Sequence, residues 1–433
     1  MWVSVLSLGA VPVLGACMSP PDAGSAPSAP PAATASTGSA SAAGTAGTAA
    51  GTAGTAAAAT GLLRARAAAV VAGDEQAYAA TVADRTMAAG QRQLDSFAAA
   101  RALRVSRLEV GAPVVTVDQR DPERIRAEVD VRYRVDDLDR ADRVARLEYV
   151  LVRSGASWRV VSERALVPGA GVPWVAMPTL AVRRGAHGVV AGTVPVARLD
   201  EHLAVVDRAV PALHEQWAGT PARVLVLAPS TVAQADALLG RPGGSGTAPV
   251  AATTEGPTGA GGTATGDRVV LDPGAFDRLT ASGRDVVLTH ELAHVAVRAS
   301  VPGRPAAWLA EGYADHVGYD RADVSAARLV APLVSAIRAG QGPRRLPSPA
   351  ELQPATGDIE VPYLAAWQAV DLIARTHGEA ALRRLVAAGS ATGSDADAEA
   401  ATDAALVSEL GTTRAELTQQ WLIRLGHLAK NPG

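Results

Sequence analysis

The chain has 433 residues, 48% of them hydrophobic, and a formal net charge of -3. That is enough for two or three domains with sizeable cores, and it lacks the basic surplus that draws a protein to nucleic acid or acidic lipid. Aromatic residues are only 3%, so alanine, valine and leucine must fill the cores, and the single cysteine, Cys17, excludes an internal disulfide framework.

Met1 to Leu14 is apolar but too short for a membrane span of about 20 residues; it reads as the h-region of an export signal. No basic residue precedes Cys17. The tetrad Leu14-Gly15-Ala16-Cys17 resembles the lipobox of bacterial lipoproteins. The resemblance implies a signal peptide over 1–17 and a lipid anchor through Cys17 at the outer face of the cytoplasmic membrane; without lipidation the chain would be secreted. Residues 18–60 are Ala, Gly, Ser, Thr and Pro with Asp22 as the only charge. Such a composition cannot bury enough surface to offset ordering entropy, and it reads as a flexible tether.

Residues 61–167 form the first predicted folded unit. Helices are expected over Leu62–Val71, Gln76–Met87 and Gln91–Ala102, with Leu94 and Phe97 as core candidates. Strands follow at Val105–Val110, Arg124–Val135, Ala145–Val152 and Trp158–Ser162, with Gly155 in a turn. In Arg124–Val135, apolar and charged residues alternate strictly, the mark of an antiparallel strand with one wet face. Helices followed by a curled antiparallel sheet resemble the NTF2-like, cone-shaped α+β domains, which implies a spacer or a binding accessory here.

Residues 172–433 form the second predicted unit. Short strands around His187, a helix over Arg198–Trp217, a strand over Arg223–Leu227 and a helix over Val232–Leu239 give the alternation of an α/β lobe. His187 and His202 read as surface or locally bonded histidines. Residues 240–266 are a second low-complexity run, expected to be a flexible insertion, before a strand at Arg268–Asp272. Helical segments then occupy most of the chain. Pro332 and Pro362 sit where a helix kinks or starts, residues 389–402 read as flexible, and Leu417, Trp421 and Leu425 share a face of the last helix.

The chemistry concentrates in His290-Glu291-Leu292-Ala293-His294. On a helix, residues i and i+4 share a face, so both imidazoles can reach one metal with Glu291 placed to take a proton from its water. The pentapeptide alone also arises by chance as a polar helix face. Catalytic zinc takes three protein ligands, and Trp308-Leu309-Ala310-Glu311-Gly312-Tyr313-Ala314-Asp315-His316 supplies a candidate. A Pro/Gly turn and an antiparallel second helix would bring Glu311 over the histidines, with Asp315 one turn on to hold a liganding imidazole.

The two segments together resemble the gluzincin metallopeptidases, in particular the bacterial peptidase MA-like domains, which carry H-E-x-x-H followed by W-x-x-E-G-x-A. The resemblance implies a thermolysin-like α/β plus helical domain and one Zn2+ per chain held by His290, His294 and Glu311. It makes Glu291 the general base and Asp315 the support of the first histidine, and it implies a peptide or protein substrate. It also places Arg268–Asp272 as the edge strand above the cleft. Tyr363 is its first candidate for steadying the oxyanion, with Tyr313 or His316 second; the alternative for Tyr363 is a helix-packing aromatic. Two other functions stay open: a zinc-binding pseudo-peptidase serving as scaffold or chaperone, and a non-catalytic binding lipoprotein.

Overall fold

A computed structural model describes residues 43–166, 171–241, 251–320, 325–353 and 360–430, with side chains from residue 54 onward. Cys17 and the segment expected to direct export lie outside the described residues. The described chain is α+β.

The first unit runs through helices α1 (Ala43–Ala72), α2 (Glu75–Ala79) and α3 (Ala88–Leu103), then strands β1 (Val105–Val110), β2 (Val114–Val117), β3 (Arg124–Val135), β4 (Arg143–Ser154) and β5 (Ser157–Ala165). The sheet is antiparallel in the order β1-β3-β4-β5, and β1 and β2 follow one another along the same edge of β3. β3 alternates as its sequence predicts: Ile125, Ala127, Val129, Val131, Tyr133 and Val135 are buried, and the residues between them are exposed or half-buried.

Two local expectations change. α1 begins at Ala43, within the stretch assigned to the tether. Alanine is the strongest helix former, and Ala59, Leu63, Ala67 and Val70 form a buried stripe at helical spacing. The helix expected over Gln76–Met87 stops at Ala79. Beyond it the backbone joins the sheet edge instead: Val160 N–H donates to the Thr81 carbonyl and Ala83 N–H to the Val160 carbonyl.

The second unit opens with α4 (Pro173–Ala176), β6 (Ala181–Arg184), β7 (Gly188–Gly192), α5 (Val196–Gln216), β8 (Val224–Ala228) and α6 (Val232–Leu239). It continues through β9 (Ala252–Glu255), β10 (Arg268–Leu271), α7 (Pro273–Phe276), α8 (Ala281–Ser300) and α9 (Ala307–Tyr319). The rest is helical: α10 (Ala326–Leu329), α11 (Ala331–Arg338), α12 (Glu360–His377), α13 (Glu379–Ala388), α14 (Asp395–Leu410) and α15 (Arg414–Lys430). The sheet order is β6-β7-β8-β10-β9, with β7, β8 and β10 parallel and the outer strands β6 and β9 antiparallel.

The edge above α8 is therefore β9, formed inside the segment expected to be a flexible insertion, and β10 lies one place further in. The backbone of β9 is paired along β10 and its residues Ala252, Thr253 and Thr254 are buried. The stretch 389–402 is ordered as well. Ser394 and Asp397 form a capping box that starts α14, and the buried Thr402 hydroxyl donates to the Gly389 carbonyl while accepting from Ala306 N–H.

Both faces of this second sheet are covered, which is why its central strands read as unbroken apolar runs. Val190, Val224, Val226, Val269 and Leu271 pack with α5 and α8. Val189, Ala191, Leu225, Leu227 and Val270 join the core of the first unit, together with Tyr133 and Trp174. Buried polar contacts stitch the same boundary. Arg268 of β10 donates to the Tyr133 hydroxyl at 3.0 Å and to Asp139 at 3.1 Å. Arg143 of β4 donates to Glu255 of β9 at 2.6 Å and to the Gly266 carbonyl at 2.7 Å.

Asp139 is the buried counter-ion of Arg268, and it also accepts from Val135 N–H. Removing one member of a buried pair strands the other charge. Asp139→Ala is expected to lower unfolding stability by about 3–5 kcal/mol, measured by urea denaturation.

Candidate metal centre

α8 starts at Thr280, whose side chain accepts from Gly283 N–H. From Val286 to Val297 every side chain is buried, because the helix packs against the sheet, α5 and α9. The chain then turns through Pro302, Gly303 and Pro305, with Gly303 at φ 78°, and α9 returns along α8. α12 packs on α9 at Gly312, where a Cβ would lie 2.6 Å from the Ala366 carbonyl oxygen.

This helix pair brings His290 Nε2, His294 Nε2 and Glu311 Oε2 together. The two nitrogens are 3.0 Å apart, and the carboxylate oxygen is 3.3 Å from one and 3.4 Å from the other. All three residues are buried, His290 completely. Three vertices of a tetrahedron around zinc, with bonds near 2.0–2.1 Å, would be about 3.4 Å apart. Glu311 Oε2 is buried and faces the two imidazole nitrogens, as expected of an oxygen meant for a cation. Donor set and spacing therefore fit a divalent metal such as Zn2+, which two imidazoles and one carboxylate suit.

Asp315 stands behind His290, its Oδ1 2.8 Å from Nδ1. With the proton on Nδ1, the Nε2 lone pair faces the cluster. Glu291, fully buried, accepts a 2.6 Å hydrogen bond from the Thr254 hydroxyl on Oε2, and its Oε1 has no hydrogen-bond partner.

The buried charges of the site shift one another's pKa values. Burial pushes the His290 imidazole down, but the bonds to Asp315 and Glu311 outweigh it and raise its pKa to about 10. Burial pushes Glu311 up, but the His294 charge and the bonds from both imidazoles bring it down to about 2. Burial raises Asp315 to about 6 against the pull of His290, and raises Glu291 against both histidines.

The remaining candidates make contacts of their own. The buried Tyr363 hydroxyl donates to the Leu352 carbonyl at 3.4 Å. Tyr313 accepts from Trp217 Nε1 at 2.7 Å and donates to Gln216, and His316 faces Glu379 at 2.8 Å. His187 lies near the Ala222 carbonyl. His202 is buried edge-on against Phe276, and burial lowers its pKa to about 4. Thr254 is the residue that sequence reasoning missed. The only signal was Thr253-Thr254, a pair of β-branched residues inside a run otherwise rich in Gly and Ala.

No family model matches the chain, and no curated protein does. Among solved structures, that of a protein of unknown function from Mycobacterium tuberculosis is similar to 34% of this chain and 91% of its own, at 14% identity and a TM-score of 0.21. The class of the protein thus rests on the site: an α+β protein with a buried His-His-Glu cluster able to coordinate a metal such as Zn2+.

Replacing His290, His294 or Glu311 with alanine is expected to lower metal content, read by elemental analysis. Asp315→Ala should weaken metal affinity about 10–100-fold. Because His290 carries its proton up to about pH 10, metal must displace that proton to bind. Affinity should therefore rise about tenfold per pH unit between about pH 6 and 8, measured by chelator competition.

Proposed function

We propose that the protein is a zinc-dependent peptidase of the cell envelope, with the peptidase MA-like, gluzincin architecture in its second unit and an NTF2-like first unit. We further propose that lipidated Cys17 holds it at the outer face of the cytoplasmic membrane and that its substrate is a peptide or protein. One observation carries the catalytic reading: beside the ligand pair, the Glu291 carboxylate keeps one buried oxygen with no hydrogen-bond partner among the described residues. That oxygen can take a proton.

Bound zinc would be held by His290, His294 and Glu311 and would supply Lewis acidity, which polarises a carbonyl and acidifies water. Glu291 accepts the proton of the attacking water and delivers it to the leaving amine nitrogen. Asp315 keeps the His290 proton on Nδ1. A second reading, a zinc-holding scaffold without turnover, is favoured by the complete burial of His290 and Glu291.

Glu291→Gln should bind metal as the wild type does and lose hydrolysis by about 100-fold or more, assayed on a peptide library alongside metal content. Equal turnover by the variant removes Glu291 from the mechanism. A wild-type chain that holds one zinc and cleaves nothing supports the scaffold.

A further inference from the structure

Glu291 is not held by its own helix alone. Its Oε2 accepts from the Thr254 hydroxyl at 2.6 Å, and the same hydroxyl lies 3.1 Å from the Glu291 backbone carbonyl. Both residues are buried, Glu291 at 0% and Thr254 at 1% exposure. A carboxylate anchored through one oxygen has its rotamer set while the other stays available for proton transfer. Thr254 belongs to β9, where neighbouring side chains point to opposite faces. Thr253, on the other face, accepts from Arg241.

β9 is four residues long and, among the described residues, pairs with β10 alone. So short an edge strand is weakly fixed by its own ladder. Arg298 of α8 donates to the Gly256 carbonyl just past β9 and to Asp267 just before β10, and the first unit adds a second hold. The Arg143 guanidinium, its side chain 2% exposed, bonds Glu255 at the end of β9 and the carbonyl of Gly266 just before β10. It thus clamps both ends of the connection between the two strands. Arg140 adds bonds to the Ala264 and Thr265 carbonyls of that connection.

We propose that Thr254 is a positioning residue for the Glu291 base, and that the first unit holds Thr254 in place by bracing β9 through Arg143 and Glu255. The catalytic half of this inference rests on the hydrolase reading above. The first unit is then a structural part of the metal centre.

The test uses the full chain loaded with zinc and the variants Thr254→Val, Thr254→Ser and Glu255→Ala, with metal content, kcat, KM and crystal structures as readouts. All three should keep one zinc per chain. Thr254→Val, nearly the same shape without the donor, should lower kcat about 10–100-fold with KM within about twofold, the scale expected for a misaimed catalytic group. Thr254→Ser restores the donor and should stay within about threefold of the wild type. Glu255→Ala removes the first unit's bond to β9 while the β10 ladder and the Arg143–Gly266 bond stay, and should lower kcat about 3–10-fold. In crystals, the Glu291 carboxylate should leave its present rotamer in Thr254→Val and keep it in Thr254→Ser. Wild-type kcat in Thr254→Val, or an unmoved Glu291 carboxylate there, overturns the positioning role. Unchanged kcat in Glu255→Ala overturns the brace. If the wild type itself cleaves nothing, the hydrolase reading has failed, and the crystallographic comparison alone decides whether Thr254 holds Glu291.

Discussion

Two imidazole nitrogens and a carboxylate oxygen held 3.0–3.4 Å apart in a buried space are the constraint on which the rest depends. Their lone pairs repel one another unless a cation sits among them, and burial removes the water that would otherwise screen them. A divalent ion would meet all three donors at once. The scaffold must hold these donors together against that repulsion. It does so by pressing α9 onto α8 and α12 onto α9, with Gly312 and Gly318 at the points of closest approach.

Layering explains where the neighbours of the cluster come from. The second sheet lies between two cores, with α5 and α8 on one face and the first unit on the other. Its outer strand β9 therefore touches three things at once: β10 through its backbone, Glu291 through Thr254, and the first unit through Glu255. A short strand at a sheet edge has little stability of its own, so its position reports that of its surroundings. The buried pairs of Arg143 and Arg268 are costly to form and costly to break. They give the boundary between the units one preferred register where apolar contact alone would tolerate sliding.

Where local pattern carried the information, the sequence could be read. The alternation in Arg124–Val135 placed β3 and its buried face. The i, i+4 histidines and the Pro/Gly turn before Trp308 placed two antiparallel helices and brought Glu311 and Asp315 to His290. Reading failed where a distant partner overrode composition. Gln76–Met87 has a helical pattern, but Val160 draws its second half onto the sheet edge. The small, polar stretch 389–402 looks unstructured, but Thr402 ties it to Ala306 and Gly389. The Gly-rich run around Thr254 looks like an insertion, but β10 supplies a ladder for part of it.

The sequence by itself determined the donor set, because two ligands one helical turn apart and a third on the next helix are separated by a short chain with few ways to fold. It also determined that a carboxylate would stand beside those ligands. Only the tertiary structure decided what that carboxylate leans on. Thr254 and Glu291 are 37 residues apart, and Arg143 and Glu255 are 112 apart. No periodicity encodes contacts at such separations; they exist because two sheets and a helix close on one another and bring those side chains together.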